Sequence, residues 1–85
     1  MPDELRSPIN RHLVLHRVEP DQGIRRFYSL VIERDLFGTI RLVRNLGRIG
    51  TTGQDMVEGF ASEIEAGAAL EAVAWAKRRR GYRDL

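Results

Sequence analysis

The segment Arg44–Gln54, RNLGRIGTTGQ, most constrains how this chain can fold, because it sets three glycines within seven residues between two runs of β-type sequence. Glycine tolerates positive φ and lets other groups approach the backbone closely, so the segment reads as a turn region between two strands. Arg44 and Arg48 supply planar forks of donors suited to phosphate oxygens, and Thr51 and Thr52 add hydroxyls. A turn of this composition is more often only a turn. The spacing of Gly47, Gly50 and Gly53 matches neither the phosphate cradle of nucleotide hydrolases nor the dinucleotide fingerprint, and no helix follows directly.

Before this segment, Arg11–Glu19, with Leu13, Val14, Leu15 and Val18, reads as a first strand closed by the Pro20–Gly23 turn. Arg25–Arg34 is a second strand, with Tyr28, Leu30 and Ile32 on one face and Phe27, Ser29, Val31 and Glu33 on the other. Asp35–Gly38 reads as a hairpin tip. A third strand spans Thr39–Leu46 and is apolar on both faces, as a central strand is; a fourth spans Gln54–Ala61. Ser62 and Glu65 stand at capping-box spacing and open an Ala- and Leu-rich helix running to about Arg80. Gly81 is placed to end that helix, and its basic last turn suits the negative end of the dipole.

Along the helix, Ala66, Leu70, Val73 and Ala74, extended by the stem of Lys77, form one apolar stripe. Ile64, Ala68 and Trp75 form another, nearly opposite. One sheet cannot cover both. Trp75 either packs on a neighbouring loop or on the N-terminal segment, or marks a contact with a partner; a small domain's need for every large side chain favours packing. The expected architecture is α+β: an antiparallel sheet of about four strands with one C-terminal helix packed on one face.

A chain of 85 residues has room for one core. Residues 1–10, with two prolines, are expected to be a flexible lead-in, and residues 11–85 a single domain. The absence of cysteine excludes disulfides, thiolate metal sites and a cysteine nucleophile. The N-terminus has neither the basic nor the apolar region of a secretory signal, and no apolar run approaches the roughly 18 residues of a membrane helix. No membrane partner and a cytoplasmic location are therefore expected.

Catalytic chemistry is thin. His12 and His16 on a strand would stand about 13 Å apart, at roughly 3.3 Å per residue, too far to share a metal. On a helix they would have ligand spacing, but without a third ligand nearby. No nucleophile elbow and no cofactor motif occurs, so a non-enzymatic protein without metal or cofactor is expected. Charge is more telling. Of the 14 basic side chains all but Lys77 are arginine. They concentrate in two groups, one around Arg41, Arg44 and Arg48 and the other at Lys77, Arg78, Arg79, Arg80 and Arg83.

Several separated segments resemble the WGR domain, a family named for a Trp-Gly-Arg tripeptide and found in poly(ADP-ribose) polymerases and many bacterial proteins. Arg26–Leu30 resembles its second strand and Asp35–Gly38 its bacterial hairpin. Val43–Gln54 resembles the name motif with its turn, and Lys77–Tyr82 the closing segment. The resemblance spans about Ile24–Arg83 and implies a sheet crossed by one helix. In the polymerases it implies a reader of DNA ends, whose motif meets the terminal nucleotide and its 5′ phosphate. Carried over, Gly47 would permit close approach and Arg48 would contact phosphate or a neighbouring domain. The chain departs from the family at the first letter of the motif, where Leu46 stands in place of Trp. Its loss removes an aromatic platform worth roughly 1–3 kcal/mol if the ring stacks on sugar or base.

Two functions follow as expectations. In the first, the chain is a nucleic-acid-binding module of low sequence specificity, contacting the DNA backbone or DNA ends. Arg44, Leu46, Gly47, Arg48, Gly53, Gln54, Lys77, Arg78, Arg79 and Arg80 would form the site. In the second, it is a protein-interaction module, for a protein partner or a second copy of itself as a homodimer, that has lost DNA binding through Leu46 and presents Leu46 and Trp75 as apolar contacts. DNA binding requires the two basic groups to share one continuous face. The plainer role for Arg44 and Arg48 is to brace the turn, with the helix-end cluster capping the dipole.

Overall fold

The structure is a computed structural model and describes residues 11–85; the lead-in expected at residues 1–10 lies outside them. The chain forms β1 (Arg11–Glu19), β2 (Ile24–Arg34), β3 (Ile40–Arg48), β4 (Gln54–Phe60), α1 (Glu63–Arg79) and β5 (Arg83–Asp84). The strands make one sheet in the order β4-β3-β2-β1-β5, antiparallel throughout. Period-2 patterning fixes the faces. Leu15, Tyr28, Leu30, Ile32, Ile40 and Leu42 point to one side and are buried. Burying each large apolar side chain contributes roughly 1.5–3 kcal/mol.

α1 covers that face through Ala66, Leu70 and Ala74. The two alanines let its backbone lie close, so Leu70 can be buried against the sheet. The helix begins as the sequence predicts: Ser62 is extended, and its side chain accepts from the Glu65 N–H at 3.2 Å. The return half of the box differs, since Ser62 Oγ donates to Glu65 Oε2 at 3.4 Å. At the other end the N–H of Tyr82 donates to Lys77 O and that of Gly81 to Arg78 O, both at 3.1 Å. This is a Schellman motif, turned at Gly81 with φ 96°. It swings Tyr82 back under the helix, where it meets Tyr28 edge to face at 6.3 Å.

The α+β architecture is as expected, an antiparallel sheet with one C-terminal helix on one face, and three details differ. The sheet has five strands, because the Schellman turn returns Arg83–Asp84 antiparallel to β1, where Leu15 and His16 pair with them. Two residues are too short a run for periodicity to reveal. β3 continues to Arg48, so Gly47 and Arg48 are strand residues paired with Phe27 and Arg26, and the turn proper is Ile49–Gly53. Third, Trp75 does not pack on a loop of the described residues; the N-terminal segment, the other intramolecular partner expected for it, lies outside them. It is 60% exposed, with the Arg79 guanidinium 4.7 Å from its ring centroid. The sheet covers one side of α1 only, and a residue four positions on is the neighbour available on the other.

Candidate nucleic-acid interface

The register sets arginines in a row. On the helix-covered side of the sheet, Arg17 of β1 pairs with Arg26 of β2, which pairs with Arg48 of β3. Adjacent strands lie about 4.8 Å apart, so three guanidinium stems cross the end of the sheet within one short span. Like charges placed directly opposite each other destabilise a sheet, by roughly 0.2–1 kcal/mol per pair. Glu19 compensates Arg17 at 2.5 Å. Among the described residues Arg26 and Arg48 have no carboxylate partner, and both are exposed. With Arg17, Arg25, Gly23 and Ile24 they line a groove of about 280 Å³.

The last turn of α1 reaches the same end. Lys77 Nζ lies 4.6 Å from the centroid of the Tyr28 ring and 5.7 Å from that of Tyr82. Burial against these rings, then the fields of Arg80, Arg44 and Arg26, hold its pKa below the ordinary lysine value. Arg26, Arg44 and Arg80 are thus each near enough to Lys77 to repel its ammonium group. Arg17 joins them at the back, since its Nε lies 3.6 Å from where a Cβ on Gly81 would stand.

The predicted site residues divide on this frame. Arg44, Arg48, Lys77 and Arg80 gather on the helix-covered side, although Arg44 is part-neutralised by Glu58 at 3.2 Å. Leu46 and Gln54 are paired neighbours on that side; Leu46 is half-buried against the core and Gln54 exposed. Arg78 is engaged elsewhere. Its Nε and Nη2 grip Asp84 at 2.8 and 2.7 Å, and this bidentate pair fastens β5 to the helix. Arg79 lies over Trp75. Gly47 and Gly53 have an internal reason to be glycine: a Cβ on Gly47 would stand 2.9 Å from Gly53 Cα. One on Gly53 would stand 2.7 Å from both Leu46 O and Phe27 Cζ. The turn folds flat onto β3 and the Phe27 ring. Asn45 holds it there by donating to Thr52 O at 3.0 Å and Asp55 Oδ1 at 2.7 Å.

Sequence reasoning missed Arg17 and Arg26 as site residues. The signal that finds them is register alone, once the turns at Pro20–Gly23 and Asp35–Gly38 fix which residues face each other. The histidines belong to another part of the surface: His12 and His16 flank Val14 on the side of the sheet away from α1, and His12 Nε2 meets Ser29 Oγ at 3.2 Å. No helix of the described residues is long and apolar enough to cross a membrane.

A five-stranded antiparallel sheet under one helix, with an arginine-rich end, defines a small α+β module. The WGR domain family model matches residues 11–85, and the chain belongs to that family. It is 44% identical over 71 residues to the uncharacterized protein y4dW of Sinorhizobium fredii, covering 84% of this chain and 35% of that protein. The chain therefore spans about a third of the length of that relative. No solved structure matches it.

Proposed function

We propose that the chain is a non-catalytic nucleic-acid-binding module that holds the DNA backbone, at or near a strand end, against its arginine-rich end. The observation that carries this reading is the convergence of Arg26, Arg44, Arg48, Lys77 and Arg80, with Arg17 behind them, on one face where Glu19 and Glu58 are the paired carboxylates. Lys77, set among these arginines, has no carboxylate partner among the described residues, so the cluster is poorly compensated within the protein. A phosphodiester brings the missing charge. Arginine forks grip phosphate oxygens without reading base edges, so low sequence specificity is expected. Leu46, half-buried beside Gln54, offers apolar contact without stacking.

The test is titration of a labelled, 5′-phosphorylated short duplex at several salt concentrations, with a covalently closed duplex as competitor. Expected is an affinity that falls linearly in log–log form with salt, at a slope of about −0.9 per phosphate engaged, and that closed DNA displaces poorly. Equal displacement would remove the preference for ends. Absence of binding at low salt would overturn the reading in favour of a protein partner. Specific observations favour that alternative as well, namely the exposed Trp75 and the exposed hairpin tip at Leu36 and Phe37.

A further inference from the structure

Two features take no part in the cationic face. The first is the tip of the β2–β3 hairpin, where Leu36 is 99% and Phe37 93% exposed. Their backbone is nevertheless fixed. Asp35 Oδ1 accepts from the N–H of Phe37 at 2.8 Å and of Thr39 at 2.9 Å. The Gly38 N–H donates to the Asp35 carbonyl at 3.1 Å. The two bonds to its carboxylate, that from Thr39 first, hold the Asp35 carboxyl below its ordinary pKa. An ordered turn thus presents two large apolar side chains side by side to water, a costly arrangement that marks contact surfaces.

The second feature is the outer stripe of α1. Ile64, Gly67 and Ala68, with Ile32 beneath, floor a groove of about 420 Å³. Its rim is built of ion pairs, Arg11 with Glu71 at 2.6 Å and Glu63 with Arg34 at 2.5 Å. An apolar floor inside a polar rim is the anatomy of a protein interface. Because the rim charges are already matched internally, the groove favours an uncharged apolar insert over a charged one. Such an insert is carried by the chain itself. Its exposure shows that the tip does not enter the groove of its own chain.

Tip and groove lie at the same end of the molecule: Arg34, the last residue of β2 before the tip, bonds Glu63, the first residue of α1. An isologous pairing about a twofold axis at that end, each tip entering the other copy's groove, would close on itself instead of propagating. We propose that two copies of this chain associate about such an axis, the Leu36–Phe37 tip of each seated in the Ile64–Ala68 groove of the other. The Gly-rich turn lies at the far end of β3, so both arginine-rich ends stay open in the pair. The proposal is independent of the nucleic-acid reading.

Contact confined to two small insertions is expected to fall short of the roughly 1,200 Å² of a stable interface, so a weak association is expected, with a midpoint on the order of 100 µM. Sedimentation equilibrium of the full chain, up to about 1 mM, tests it. The weight-average mass is expected to climb from 9.7 kDa toward twice that value. The double variant Leu36→Ser, Phe37→Ser alters only exposed side chains, and Ala68→Glu obstructs the groove from an exposed helix position. Each is expected to weaken association by roughly tenfold or more. An equal mixture of the two variants should associate more strongly than either alone, because one tip and one groove remain to pair. A single 9.7 kDa species at every concentration would overturn the proposal. So would association indifferent to either variant, or a mixture no stronger than its parts.

Discussion

Gly53 is fixed by what surrounds it and not by any ligand. Its φ of 71° and the 2.7 Å approach of a Cβ to Leu46 O leave no position for a methyl group. Gly53→Ala is therefore expected to cost about 1–3 kcal/mol, read as a lowered denaturant midpoint at unchanged slope. A neutral effect would mean that the turn can lift off Phe27. Lys77 makes the opposite case, in which a charge waits for compensation. Burial and Arg80, Arg44 and Arg26 lower its folded pKa, so near that value the unfolded chain binds the extra proton. Stability is gained as pH rises through the folded value and levels off above the unfolded one. As the chain's single lysine, it gives one side-chain NMR titration curve after isotopic labelling. Its midpoint should lie below that of an ordinary lysine and move up when duplex DNA binds, because phosphate favours the ammonium form. An unmoved midpoint under saturating DNA would place the ligand elsewhere.

Among elements, β5 is held most narrowly. Two residues pair with β1, and the Arg78–Asp84 fork supplies a second hold. The hydrogen bond from Arg78 is the first cause lowering the Asp84 pKa. The stability linked to a depressed carboxylate is complete above its unfolded pKa and is lost as pH falls through the folded one. β5 should detach from β1 on acidification below the ordinary aspartate range, ahead of the central strands. Asp84→Asn should release it already at neutral pH. Hydrogen exchange at Leu85, whose N–H donates to Val14 O at 3.1 Å, reports both events. Protection that persists in Asp84→Asn would show that the backbone pairing suffices. α1 and β1–β4 were legible in the residues because each carries a full period of pattern. β5 was not, since two residues carry none and their placement depends on how the Schellman turn aims the chain.

For the whole molecule, charge is sorted along the strands. At the tip end Arg11, Arg34 and Arg41 each have a carboxylate, in Glu71, Glu63 and Glu33. At the Gly-turn end Arg26 and Arg48 have none among the described residues. Two arginines of one strand can therefore be compared. Arg26→Ala should weaken DNA binding and reduce the salt slope by about one. Arg34→Ala, eight residues along on the same face, should leave both unchanged and lose only a surface ion pair worth about 0–1 kcal/mol. Equal effects of the two would dissolve the idea of a polarised surface.

By itself the sequence determined what local rules decide. These are the alternation that makes the strands, the cap and Gly81 that bound the helix, the glycines that allow the turn, and the dispersed segments that mark the family. The tertiary structure alone decided which cations become neighbours. Arg17, Arg26 and Arg48 are remote in sequence and adjacent only through register, whereas Arg78, adjacent to Lys77, faces away to Asp84. It also decided that the sheet does not cover Trp75, because a single sheet covers one side of a helix and leaves the other uncovered. Periodicity is a local property of the chain, but charge compensation and coverage are sums over neighbours, and neighbours exist only once the chain has folded.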